Sequence, residues 1–174
     1  MQTELETKPA QKSSTWWSRA LVGRRPRWTL ARVVVLIVVT FVLFKFLFIP
    51  IRLEGNSMWP TYQHHAIKLV NKLAYRKHAP RRGDIVAISL PGTKVMEVKR
   101  IIGLPGERVS VRRRTGTVYI NDERLEEPYL KNQVPWAAEP RVLGENEYFV
   151  VGDNRRISEF GSVPIQRIVG KVVF

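Results

Sequence analysis

One apolar run stands out from the rest of the chain. From Val33 to Ile49 every position is apolar except Thr40 and Lys45. Coiled as a helix, these residues span about 25 Å, slightly less than the ~30 Å hydrocarbon core of a bilayer. Leu30 and Ala31, with the Arg32 side chain snorkelling, close the gap, and Lys45 can reach outward from the last turn. Pro50 is expected to end the helix. A cleaved leader would show a shorter run followed by a small-x-small site, and none follows here. The pattern therefore predicts a retained anchor over residues 33–49, preceded by a tail over residues 1–32 and followed by one domain over residues 50–174.

Beyond Ile51 the pattern changes to short apolar or alternating segments separated by turn residues. Segments at 66–70, 85–89, 94–102, 108–111, 117–120, 148–151 and 167–173 carry the β-branched and aromatic residues of strands. Arg81-Arg82-Gly83-Asp84, Pro91-Gly92, Pro105-Gly106, Thr115-Gly116 and Asn121-Asp122 mark the turns. No helical period accompanies them, so the fold class is all-β, mostly antiparallel, behind a single N-terminal transmembrane helix. Residues 71–78 are expected to hold one short helical turn. Residues 131–141, with Pro135 and Pro140, read as a long loop.

Charge and cysteine content narrow the function. The formal net charge is +14 and cysteine is absent. No disulfide framework, thiol nucleophile or cysteine-ligated metal is available. A basic chain suits nucleic acid or an anionic membrane surface. No zinc pattern, RNP motif or helix-turn-helix pattern accompanies the charge, whereas the apolar run does, so membrane lipids are the expected partner and nucleic acid is not. Trp16, Trp17 and the cluster Arg19, Arg24, Arg25 and Arg27 precede the run. Residues 13–28 fit either an interfacial segment or a solvated basic tail. Basic residues on this side place the tail in the cytoplasm and the domain across the membrane.

The candidate chemistry centres on Ser57, in Gly55-Asn56-Ser57-Met58-Trp59-Pro60-Thr61 just after the apolar run. A serine in a turn more often satisfies backbone groups than acts as a nucleophile. The histidines give no triad. His64 and His65 are adjacent, so on a strand they face opposite sides and read as surface residues, and His78 lies in a basic loop. Lys99 is the remaining candidate base, because its strand neighbours are apolar and alternation puts it on one face with Glu97 and Ile101. Burial disfavours an ammonium, and a neutral amine can take the proton of a serine hydroxyl attacking a carbonyl. On charge pattern alone, Lys99 reads as one more solvated cation among 29 basic residues.

These residues fall in boxes that resemble the type I signal peptidases, membrane-anchored serine proteases with a Ser–Lys dyad. Residues 55–61 match G-x-S-M-x-P-T and residues 82–86 match R-G-D-I-V. Residues 99–107 match K-R-x-I-G-L-P-G-[DE], and residues 148–155 match Y-F-x-x-G-D-N-R. Residues 160–164 and 168–171 match the closing F-G-x-V-P and I-x-G-K segments. The boxes run in order over nearly all of residues 51–174.

The resemblance implies an enzyme of the bacterial cytoplasmic membrane that cleaves signal peptides from exported preproteins after a small residue, with another small residue two positions earlier. It puts Ser57 at the nucleophile position and Lys99 at the general-base position. Met58 and Val98 match residues lining the shallow substrate pockets, and Arg100 and Asp153 match a supporting salt bridge. Ser158 matches the hydroxyl that orients the lysine, and the Ser57 backbone N–H would serve the oxyanion. No cofactor or metal is implied. The chain departs from the pattern after Ser158, where the usual S-x-D-S-R is shortened to Ser158-Glu159-Phe160-Gly161. A narrow-substrate processing protease and a catalytically impaired membrane-anchored binding module are the alternative readings.

Overall fold

A computed structural model of the chain describes residues 26–92 and 95–173. The Trp and Arg residues before Pro26 lie outside the described residues. The described residues fall into two units, divided between Phe44 and Lys45.

Helix α1 runs from Pro26 to Leu47. Its 22 residues cover about 33 Å, enough for the hydrocarbon core because the helix takes in Leu30, Ala31 and Arg32 ahead of the apolar run. Its apolar side chains are exposed all round, from Trp28 and Leu30 to Phe46. A helix with no polar face needs an apolar solvent. The helix stops at Leu47, two residues before the end predicted from the apolar run. Phe48–Arg52 turns into strand β1, and Pro50 sits inside that strand opposite Leu69. Because β1 is the edge of its sheet, it is one of the few places where a sheet admits proline.

Among the described residues, the second unit holds eleven strands. They are β1 (Phe48–Arg52), β2 (Ile67–Asn71), β3 (Ile85–Ser89), β4 (Met96–Gly103), β5 (Arg108–Arg112) and β6 (Thr117–Ile120), then β7 (Glu123–Arg124), β8 (Arg141–Val142), β9 (Glu147–Val151), β10 (Phe160–Pro164) and β11 (Ile168–Val173). They form a seven-stranded sheet, ordered β1-β2-β11-β3-β4-β9-β10, and a four-stranded sheet, ordered β7-β6-β5-β8. Every pairing is antiparallel. Residues 72–78 form turns rather than a helical turn.

Alternation along the strands sorts the core. On β3, Val86 and Ile88 join Ile101, Tyr148 and Val150 on one face. Ala87 and Val98 join Leu53, Met58, Val70 and Val172 on the other. A third cluster of Ile102, Val109, Val118, Leu143 and Phe149 includes residues of both sheets. Turns and strands are tied by charge-assisted bonds. Arg82 pairs with Glu107 at 2.5 Å, and Lys171 Nζ donates to Asp84 Oδ1 at 2.6 Å. Among the described residues, no buried side-chain nitrogen or oxygen lacks a partner.

Candidate active site

Strand β4 presents Lys99 and Arg100 to opposite faces of the large sheet. Lys99 stands opposite Val86 of β3, and Arg100 lies opposite Val151 of β9. The β9 pairing begins only at Arg100. On that side, residues 96–99 therefore project beyond the paired sheet.

This open edge borders a cavity of about 640 Å³ lined by Ser57, Met58, Val98 and Lys99, with Glu54, Glu97, Ile157 and Glu159 around it. Ser57 lies in a turn that follows β1 and is half-buried. Three contacts fix the turn. Asn154 donates its N–H to the Ser57 carbonyl at 2.9 Å, and its side-chain amide donates to the Asn56 carbonyl at 3.1 Å. Gly55 N–H donates to His64 Nδ1 at 2.8 Å. Ser57 N–H and Ser57 Oγ make no hydrogen bond with other described residues, so both are available to a ligand. Met58 and Val98 are buried in the apolar cluster beside the cavity.

The Lys99 side chain is 6% exposed. Its amine has two polar neighbours: Ser158 Oγ at 3.5 Å, a long hydrogen bond, and Glu97 Oε2 at 3.8 Å. Ser158 Oγ itself accepts from Gly152 N–H at 2.7 Å and donates to the Glu159 carbonyl at 2.8 Å. The hydroxyl is thus held in place by both bonds. Ser57 and Lys99 face the same cavity without a direct hydrogen bond.

Arg100 and Asp153 form a bidentate pair, with Nε to Oδ1 at 2.8 Å and Nη2 to Oδ2 at 2.6 Å. Thr61 Oγ1 donates to Asp153, Arg100 Nη1 donates to the Gly83 carbonyl at 2.9 Å, and the Tyr129 ring lies 3.9 Å from the guanidinium carbon. Burial acts to lower the Arg100 pKa, but the hydrogen bonds and charge of Asp153 outweigh it and hold the guanidinium above its ordinary range. The pair lines no part of the Ser57–Lys99 cavity. It joins the turn after Ser57 to the segment after β9 that carries Ser158.

The histidines depart from the strand expectation. His64 and His65 occupy a turn, with His65 at φ 63°, so their rings lie side by side, centroids 3.6 Å apart and planes tilted by 39°, instead of facing opposite sides. Both are exposed, as is His78. Among the described residues, no three His, Asp or Glu side chains converge as a metal group would require.

The alternation rule put Glu97 on the face of Lys99, but it could not show that the two side chains meet. Gly152 was unassigned within its motif. A carbon added at Gly152 would overlap the Ser57 carbonyl oxygen and Ser158 Oγ, and would come within 2.9 Å of Ser158 Cβ. Glycine is the residue that lets these two segments touch.

The described residues thus combine an apolar helix, an antiparallel β unit, and a serine and a buried lysine lining one cavity. Comparison with known proteins makes this specific. Residues 26–174 match the family model described as signal peptidase, peptidase S26, and the chain belongs to that family. It is 34% identical to a signal peptidase I of Bacillus amyloliquefaciens over 94% of this chain and 86% of the relative. It is 36% identical to signal peptidase I V of Bacillus subtilis strain 168 over 83% of this chain and 95% of the relative. A crystal structure of a signal peptidase I from Enterococcus faecalis V583 matches 55% of this chain and 98% of its own, with 32% identity and a TM-score of 0.45.

Proposed function

We propose that this protein is a membrane-bound serine endopeptidase that removes N-terminal signal peptides from exported preproteins, with Ser57 as nucleophile and neutral Lys99 as general base. The observation that carries the reading is the convergence of Ser57 and Lys99, from separate segments, on one cavity whose walls include Met58 and Val98. Family membership supplies the reaction class.

The open edge at residues 96–99 suits an extended peptide, which adds to it as a strand. Small apolar walls at Met58 and Val98 admit alanine-sized side chains and exclude larger ones. Lys99 Nζ takes the proton from Ser57 Oγ as the oxygen attacks the scissile carbonyl. The free Ser57 N–H donates to the developing oxyanion. Collapse of the tetrahedral intermediate breaks the peptide bond, the lysine ammonium protonates the leaving amine, and an acyl-serine remains. The same amine then activates a water that releases the signal peptide. Ser158 orients the amine, while Arg100 and Asp153 hold the segments that carry Ser57 and Ser158.

Helix α1 serves as a single-pass anchor, with the preceding basic tail in the cytoplasm and the β unit on the extracytoplasmic side of a bacterial cytoplasmic membrane. Substrates and lipids are the partners in this reading.

The test is cleavage of a preprotein carrying an Ala-x-Ala site by the detergent-solubilised full chain. Ser57→Ala and Lys99→Arg are expected to abolish cleavage while unfolding at the wild-type temperature, since a guanidinium does not deprotonate in proteins. Wild-type turnover by Ser57→Ala would sink the assignment.

A further inference from the structure

We infer that Glu97 is a positioning residue that ties down the Lys99 amine at the cavity wall, and that its charge sets the pH at which cleavage switches on. This rests on the Ser57–Lys99 reading above. The two side chains sit two residues apart on β4, hence on one face. Glu97 Oε2 is 3.8 Å from Lys99 Nζ, with the lysine 6% exposed and the glutamate 33% exposed. Both line the cavity that holds Ser57.

The other groups facing the cavity point to the same pair. Arg52 and Glu54 come from β1 and the residues after it, Tyr62 from the turn before β2, and Glu159 from the segment after β9. None of them forms an ion pair with Lys99. Across the sheet, β3 offers the neutral Val86, while Arg100 is on the opposite face and bound to Asp153. Ser158 meets the amine as a neutral hydroxyl. Among the described residues, Glu97 is therefore the one carboxylate in ion-pair reach of this amine.

A carboxylate this close favours the charged form of its partner, and a general base must shed that charge. Glu97 thus tethers the amine within reach of Ser158 and sets a carboxylate beside the group that must act as base. A peptide adding to residues 96–99 reaches Glu97 as well as Lys99. Seating the substrate therefore perturbs the same ion pair that restrains the base.

The experiment is the pH profile of kcat/KM for an Ala-x-Ala peptide, from pH 6 to 10, with the full chain in detergent. This quantity reports the essential base of the free enzyme. Relative to wild type, Glu97→Gln is expected to lower the midpoint by about one pH unit, which is about tenfold more activity on the acid limb. Glu97→Asp, which keeps the charge, is expected to stay near wild type. Glu97→Thr, uncharged and suited to a strand, is expected to follow Glu97→Gln. High salt is expected to lower the wild-type midpoint and leave that of Glu97→Gln unmoved, because the interaction is partly exposed and screened. A wild-type midpoint in both Glu97→Gln and Glu97→Thr, with cleavage still dependent on Ser57, overturns the role of Glu97 and leaves the dyad standing. Cleavage that survives Ser57→Ala, or that does not rise with pH, overturns the dyad reading and this inference with it.

Discussion

Gly152→Ala tests whether contact between the two site-bearing segments is what aligns the chemistry. The added methyl carbon would occupy the space of the Ser57 carbonyl oxygen and of Ser158 Oγ, and would lie 2.9 Å from Ser158 Cβ. One of these neighbours is backbone, so it cannot swing aside as a side-chain tip can. The Ser57 carbonyl also receives the Asn154 N–H, and Gly152 N–H donates to Ser158 Oγ. Relief therefore means moving the turn that carries Ser57, the hydroxyl that contacts Lys99, or both. Overpacking of this kind costs about 1–3 kcal/mol of stability. The effect on turnover is larger, because a displacement of about 1 Å at reacting groups costs about 100-fold in rate. The assay pairs kcat/KM on an Ala-x-Ala peptide with thermal unfolding of the same preparation. A folded variant with turnover reduced about 100-fold and a modestly lower unfolding temperature is the expected result. Wild-type kcat/KM would refute the claim that this contact sets the geometry.

Two further predictions concern stability. The Glu127 and Arg155 side chains are each 1% exposed and joined by two hydrogen bonds, with Tyr129 Oη donating to the same carboxylate at 2.6 Å. Glu127→Ala leaves an unpaired buried guanidinium and is expected to cost about 3–5 kcal/mol, read as a lower denaturation midpoint; a loss under about 1 kcal/mol would contradict the pairing. Although burial acts to raise the Asp84 pKa, its bonds from Lys171, Arg81 N–H and Tyr75 hold the carboxyl below its ordinary value. Its contribution is therefore complete above the unfolded value of about 4 and disappears as pH falls through the lower folded value. The Lys171 side chain is 42% exposed, so Asp84→Asn is expected to cost only about 1 kcal/mol at pH 7. The deficit should shrink towards pH 3, as a constant deficit across that range would not.

How much of the molecule could be read in the sequence depended on how local the cause was. Strands β3 and β6 fall on the residues that alternation and flanking turns indicated, Ile85–Ser89 and Thr117–Ile120. Strand β1 was absorbed into the apolar run, because Phe48 and Ile49 fit a membrane helix as well as a strand and Pro50 resembles a helix stop. Strand β10 was not foreseen, since Gly161 and Pro164 weaken a strand pattern in isolation. It is stabilised by pairing with β9. At the site, the boxes named Ser57, Lys99 and Ser158, but box order says nothing of which atoms meet. The Glu97–Lys99 contact depends on side-chain rotamers at an open strand edge. The role of Gly152 depends on two loops packing together. Both arise only once the sheet is assembled.

The central claim is that Ser57 is a nucleophile made reactive by Lys99. Its most direct measurement is covalent labelling of the full chain by a serine-directed acylating probe, located by mass spectrometry of peptide fragments. One adduct is expected, on Ser57, forming faster as pH rises and lost in Lys99→Arg. A folded wild type that acquires no adduct, or acquires it on another serine, would contradict the account.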